Sequence, residues 1–591
     1  MSATLAHRGP DDTGAWVEGP VGLACQLLRA TPESAQERQP LVGSSRAVVV
    51  FDGRLDNREE LIRTLTAARV PLGSYTDPEL VLEAYQKWGE AAFTRLLGDF
   101  AVVVWDLQSR RLFCARDPLG VKPLYYHWNR NRFAFASEPI ALLAPPGPPP
   151  EPDEAMIADL LVRRFRDPEA TFFKGVRQLP AAHFLSLDAD GLRVSRYWDL
   201  DPARETRYSR TEDYLEHCRD LFKEAVRCRL RSGTPVAVLL SGGIDSTSVT
   251  AMAETLRRTE HATPPIVAFT LLAGIESDEW EAVQALEEAY GTEVNRIRPE
   301  DKDGRPLTLF EILLNNGAQP HYDGFLTLPL TLKPASSRGC RTLLTGIGAD
   351  EQMEVAEDVY IEDLLYTGRL NEFLKQFRLL AATYRADLWG AFLKFLLAQV
   401  RVGRGRRVPR WVASSFAGHV RDARRRGREQ PRGFATRYQE QTYRNLTSPA
   451  FPLGLTCMDT TAAAYSLDVR HPFLDSRLVE FLLSIPPAVK FQWGFRKMFF
   501  QRAMAGIVPS PLRPAETGVV VSPQSEEWMR RDAERLEAGL FHPNARVFRY
   551  VDRCEAERLR DRYLAGAERY RNRLWEFARL ESWLQRHGGG G

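Results

Sequence analysis

Twelve residues near the middle of the chain constrain its fold more than any others. Residues 235–246 read Pro-Val-Ala-Val-Leu-Leu-Ser-Gly-Gly-Ile-Asp-Ser. The apolar run from Val236 to Leu240 predicts a buried strand, and Ser241-Gly242-Gly243 breaks it. Behind the break, Val249, Met252, Ala253 and Leu256 recur at helical spacing. A strand, a glycine loop and a helix N-terminus in that order make an anion cradle. Glycines let backbone N–H groups approach a phosphate, and the helix dipole favours negative charge there. Asp245 adds a carboxylate suited to a Mg²⁺ riding on that phosphate. No Gly-Lys-Ser/Thr follows, so the loop is not a Walker A motif. SGGxDS resembles the pyrophosphate loop of ATP pyrophosphatases that activate carboxylates as acyl-adenylates.

Composition sets few further limits. The 591 residues allow about three or four domains. With 44% apolar and 26% charged residues the chain is ordinary for a globular protein. A net charge of +2 offers no global field for nucleic acid. No window approaches the ~18 apolar residues of a membrane span, and the first residues lack a signal-peptide core. Seven scattered cysteines without a CxxC pair argue against a disulfide framework or zinc site. These features fit a cytoplasmic protein.

Residues 1–145 alternate short strands and turns. Arg46 to Phe51, Phe100 to Trp105 and Arg111 to Ala115 predict strands; Asn57 to Ala67 and Pro78 to Trp88 predict helices, in an α+β unit. His7-Arg-Gly-Pro-Asp-Asp12, Gly98-Asp-Phe-Ala101, Ala115-Arg-Asp-Pro-Leu-Gly-Val-Lys-Pro-Leu-Tyr125 and Phe135-Ala-Ser-Glu138 follow in order. They resemble the glutamine-hydrolysing domain of asparagine synthetases, which implies an Ntn-hydrolase-like sandwich. That family's glutaminase uses an N-terminal cysteine whose α-amine acts as base. Ser2 does not take its place. Leu27 stands where the family has an arginine, and Asp52-Gly53-Arg54 where it has Asn-Gly-Glu. The expectation is a degenerate, glutaminase-inactive domain kept for support or partner docking.

Residues 146–209 are expected to form a proline-rich connector and bridging segment. Ala144-Pro-Pro-Gly-Pro-Pro-Pro150 is extended and stiff, Glu154 to Val162 is helical, and Val176 to Trp198 resembles the family's bridge. Residues 210–591 alternate strands and helices, the rhythm of a Rossmann-like parallel sheet with ligands at the strands' carboxyl ends. Four more stretches resemble asparagine synthetases: Phe269 to Glu279, Thr345-Gly-Ile-Gly-Ala-Asp-Glu351, Ser466 to Asp475, and Gly494-Phe-Arg-Lys-Met498. The resemblance implies ATP contacts from Leu240, Ser241, Gly242, Gly243, Asp245, Ser246, Thr270, Gly346 and Lys497, and a Mg²⁺ site at Asp245 and Asp350. Lys497 would neutralise the departing phosphates. Asp468 and Arg470 are placed at the acyl-acceptor side, Asp468 as a candidate base; proton loss from the amine to water or phosphate stays open.

Within the family, Phe51 to Asn57, Val469 to Asp475 and the apolar Ile347 look most like lasso peptide cyclases. β-Lactam synthetases carry tyrosine at the place of Ile347, asparagine synthetases glutamate. The resemblance implies an AMP-forming macrolactam synthetase acting on a ribosomal precursor peptide, with a leader-binding protein and a leader peptidase as partners. The alternatives are an ammonia-fed or β-lactam-synthetase-like small-molecule ligase, or a non-catalytic ATP-binding scaffold. The arginine-rich stretch 401–428 is either a solvated helix face or a docking surface, and Trp575 to Trp583 is an apolar core stripe.

Overall fold

A computed structural model describes residues 1–43, 46–65, 75–260, 263–271, 278–298, 328–354, 357–383, 408–425, 433–494, 497–509 and 526–587. The loop at 272–277, the ends of the stretch 401–428 (401–407 and 426–428) and the residues preceding Lys497 at 495–496 lie outside them.

The N-terminal unit is a sandwich with helices on one side. Its main layer is a six-stranded antiparallel sheet in the order Gly191–Arg196, His183–Asp188, Arg111–Arg116, Gly98–Asp106, Ala47–Leu55, Leu41–Val42. Val102 and Val104 point to the helices Arg58–Leu65 and Asp77–Trp88, while Ala101 and Val103 point into the sandwich beside Leu23, Leu124 and Leu185. Both faces of the strand are covered, which explains its unbroken apolar run. The second layer comprises the hairpin Asp12–Glu18/Val21–Leu27 and a three-stranded sheet of Phe133–Ala136, Tyr125–Trp128 and Arg177–Gln178. The sheet therefore does not end near 145. The strands His183–Asp188 and Gly191–Arg196 come from the expected connector and complete it, because Phe184 to Leu187 pair with Leu112 to Ala115.

The C-terminal unit is built on five parallel strands in the order Glu293–Ile297, Ile266–Leu271, Val236–Leu239, Thr342–Leu344, Asp468–Arg470. Thr211–Arg229, Ile244–Thr259, Ser476–Ser484 and Met498–Ala503 cover one face. Leu328–Ser337 and Ala450–Ala463 cover the other. The strand Val236–Leu239 lies at the centre, so the loop after it opens mid-sheet, as expected of a ligand loop. A third core holds Trp575, Phe577, Leu580 and Trp583 of the terminal helix Arg571–His587. Trp583 lies 5.2 Å from Phe173 between ring centres, and the helix Glu154–Val162 joins the same core. The apolar stripe is thus core, and its partner is the expected connector. Among the described residues, no helix is long and apolar enough to cross a membrane.

Candidate active site

The loop after Val236–Leu239 is tied by its own serines. Leu240 still donates its N–H to Phe269, extending the ladder by one residue. Ser246 Oγ accepts from Ser241 N at 3.0 Å and lies 3.0 Å from Ser241 Oγ. Gly242 has φ +79°, a conformation that disfavours any side chain. Gly243 is the N-cap of the helix Ile244–Thr259, so the helix's first unpaired N–H groups and its dipole sit at the loop. Thr270 is buried on the adjoining strand, beyond the Leu239–Phe269 register pair.

A second loop leaves the neighbouring strand Thr342–Leu344 and packs on the first. A Cβ on Gly346 would lie 2.9 Å from both Asp245 Cβ and Ser246 N, so only glycine fits. Gly348 has φ +100° and backs onto Leu474, 2.4 Å from where a Cβ would stand. These glycines bring Asp350, at the start of the short helix Ala349–Met353, to Asp245.

Lys497 closes the constellation from about 150 residues further along. It caps the helix Met498–Ala503 in the left-handed region, φ +61°. That conformation is strained for a lysine and is held by its surroundings. Its Nζ donates to Asp245 Oδ2 at 2.5 Å and to Asp350 Oδ1, with Glu354 Oε2 at 3.4 Å. Burial pushes the Asp245 carboxyl up to about 6, against the pull of Lys497. Burial by itself would lower the Lys497 ammonium; Asp245 and Asp350 outweigh it and hold it above the ordinary lysine range. Asp245 Oδ1 is buried and accepts no hydrogen bond among the described residues. Two carboxylates converging on one cation, one with a spare oxygen, suit a hard divalent metal carrying phosphates. Asp245, Asp350 and Lys497, expected from three separate stretches, are brought together. Glu354 was not expected, although its i,i+4 spacing from Asp350 is the signal that would have found it.

Asp468 and Arg470 lie elsewhere. Asp468 registers with Thr342 at the amino end of its strand, away from the two loops. It accepts from Lys122 Nζ at 2.7 Å and from Arg470 Nε at 2.7 Å. Burial would raise it, but Lys122 and Arg470 dominate and keep it well below the usual carboxylate range. A carboxylate held that firmly ionised is a poor proton acceptor at neutral pH. Arg470 is buried and also donates to the Arg229 and Arg231 carbonyls. The pair belongs to the seam between the units, where Asp468 lines a cavity of about 750 Å³ with Arg8, Leu27, Asp52, Gly53 and Lys122. Next to Gly53 in the chain, Arg54 is buried and paired with Asp56 and Asp99. The seven cysteines are unpaired, and burial pushes the Cys25 thiol up to about 12.

Residues 217–585 match the family model of asparagine synthase. The chain belongs to the asparagine synthase family. Residues 1–198 match that of a glutamine amidotransferase domain, taking in the two strands that complete the first sheet. Over 257 residues it is 35% identical to glutamine-hydrolysing asparagine synthetase 3 of Bacillus subtilis, covering 43% of this chain and 41% of that protein. Over 365 residues it is 29% identical to amidase chry2 of Gibberella zeae, covering 59% and 53%. Over 539 residues it is 25% identical to glutamine-hydrolysing asparagine synthetase 1 of Bacillus subtilis, covering 86% and 81%. The alignments thus span about half or less of the first two relatives and most of the third.

Proposed function

We propose that this chain adenylates an Asp or Glu side chain of a ribosomal precursor peptide and closes a macrolactam with the core peptide's N-terminal amine. The observation that supports this reading is the altered glutamine pocket. Arg54 stands where an acceptor for the substrate amine is expected, and its guanidinium is already paired with Asp56 and Asp99. Leu27 is apolar and buried where a cationic grip is expected. A pocket so changed does not supply ammonia from glutamine, and an amine carried by the substrate removes the need for it. Half-buried Ile347, packed near Leu343 and Leu474, offers an apolar wall in place of a proton-transferring group.

The steps follow from the residues. The loop 241–246 and the helix N-terminus behind it hold the pyrophosphate end of ATP. The peptide carboxylate attacks the α-phosphorus, and Lys497 and the loop N–H groups stabilise the charge on the departing pyrophosphate. Asp245 and Asp350 would hold Mg²⁺, which would supply neutralising charge to the phosphates. The amine then attacks the acyl carbon, AMP leaves and the ring closes. Both reacting ends belong to one molecule, so orienting them supplies much of the rate. A leader-binding protein, a leader peptidase and a cytoplasmic setting complete the proposal.

A second reading is aspartate amidation fed by free ammonia, favoured by the names of two relatives, glutamine-hydrolysing asparagine synthetases. Incubation with Mg·ATP and a leaderless candidate core peptide separates the two. The first reading expects AMP and a product lighter by one water. AMP formed only with aspartate and ammonia would overturn it, and AMP under neither condition would leave an ATP-binding scaffold.

A further inference from the structure

Three carboxylates surround one ammonium at the active site, although the metal site requires only two of them. The Lys497 side chain is 5% exposed, Asp245 20%, Asp350 60% and Glu354 42%. Lys497 therefore sits deep, against Asp245, with Asp350 and Glu354 towards the mouth. Its Nζ lies 2.5 Å from Asp245 Oδ2, also bonds Asp350 Oδ1, and is 3.4 Å from Glu354 Oε2. An ammonium has three donors, so all three contacts can be made together.

A divalent cation bound by Asp245 and Asp350 needs the same oxygens, at about 2.1 Å for Mg²⁺. The lysine cannot keep both of them. Nor can it leave without a counter-charge, because a buried unpaired ammonium is strongly destabilising. Glu354 sits within reach of a side-chain rotation, one turn beyond Asp350.

We propose that Lys497 and the divalent metal compete for Asp245 and Asp350, and that Glu354 is the positioning residue that keeps the lysine when the metal takes them. The exchange turns Lys497 from a partner of the metal carboxylates into a charge facing the phosphates. It couples metal arrival to the lysine's catalytic placement. The inference rests on the reading of Asp245 and Asp350 as metal ligands and is independent of the peptide substrate.

The test is Mn²⁺ binding to the full chain without nucleotide, followed by water-proton relaxation. Lys497→Met removes the competitor and is expected to tighten Mn²⁺ by about tenfold. Lys497→Gln serves as a second variant should the first fold poorly. Glu354→Gln is expected to weaken Mn²⁺ several-fold when Lys497 is present and to have no effect in the Lys497→Met background. Unchanged or weaker Mn²⁺ binding in both Lys497 variants overturns the competition. Equal weakening by Glu354→Gln in both backgrounds makes Glu354 a ligand and overturns its role as the lysine's holder. Asp350→Asn in the Lys497→Met background should abolish tight binding. Retained binding there, or no binding in any variant, overturns the metal assignment itself, which is a separate failure.

Discussion

Asp245 is the residue on which the candidate site turns, since it touches Lys497, backs onto Gly346 and opens the helix behind the loop. Asp245→Asn keeps the shape and removes the charge. AMP formation is expected to fall by about 10²–10³-fold, the scale of losing one electrostatic stabiliser, while the thermal midpoint stays near that of the parent. An unchanged rate would remove Asp245 from the chemistry. His471 makes a different prediction. It is buried with Nδ1 2.7 Å from Thr345 Oγ1, and burial lowers it from 6.5 to about 4. The unfolded chain then takes up the proton first as pH falls. This group's contribution is present above pH 6.5 and is lost towards pH 4, at about 1.4 kcal/mol per pH unit. His471→Gln should lose less thermal stability between pH 7 and pH 5 than the parent, and an identical loss would refute the assignment. At this scale Asp245, Asp350 and Lys497 were legible because each sits in a distinctive local pattern. Asp468 was read as an acceptor-side residue because one dimension cannot tell the amino end of a strand from its carboxyl end; Arg470 ends that strand beside Leu344, but its side chain is taken up by Asp468 and the Arg229 and Arg231 carbonyls.

Elements were legible where both faces of a strand are buried or a helix has one apolar stripe. Gly98–Asp106 contains the predicted run Phe100 to Trp105, and the central strand ends one residue earlier than read, at Leu239. The hairpin His183–Asp188/Gly191–Arg196 was folded into the expected connector because its outer strand alternates half-buried and exposed residues, as an edge strand does. The close approach of two loops is also an element-scale property, and it yields a sharp expectation. Gly346→Ala places a methyl 2.9 Å from Asp245 Cβ and Ser246 N, and backbone on one side cannot yield easily. ATP-dependent AMP formation should drop at least as far as for Asp245→Asn, with helix content by circular dichroism unchanged. Near-normal turnover would mean that the two loops do not need this contact.

Across the whole molecule the two units are joined by buried charge. Lys122 of the N-terminal unit pairs with Asp459 and Asp468, and Arg8 pairs with Asp459 at 2.6 Å. Arg229 reaches Asp56 and Asp475, tying the first sheet to the second unit's helices. Lys122→Met leaves two buried carboxylates short of a cation, a change that costs about 3–5 kcal/mol when a buried pair is broken from one side. The expected outcome is a marked fall in the thermal midpoint, partly restored by Asp468→Asn in the same chain. A midpoint unmoved by Lys122→Met would show that the seam does not depend on this pair. The sequence alone determined the two fold classes, the glycine loop after the central strand and the three residues that meet beside it, because glycine loops and buried strands are written in local patterns. The tertiary structure alone decided that Asp468 and Arg470 brace the seam, that Glu354 joins Lys497, and that residues 183–196 belong to the first sheet. Those facts depend on which distant side chains are desolvated together, and burial of charge is a property of the packed molecule.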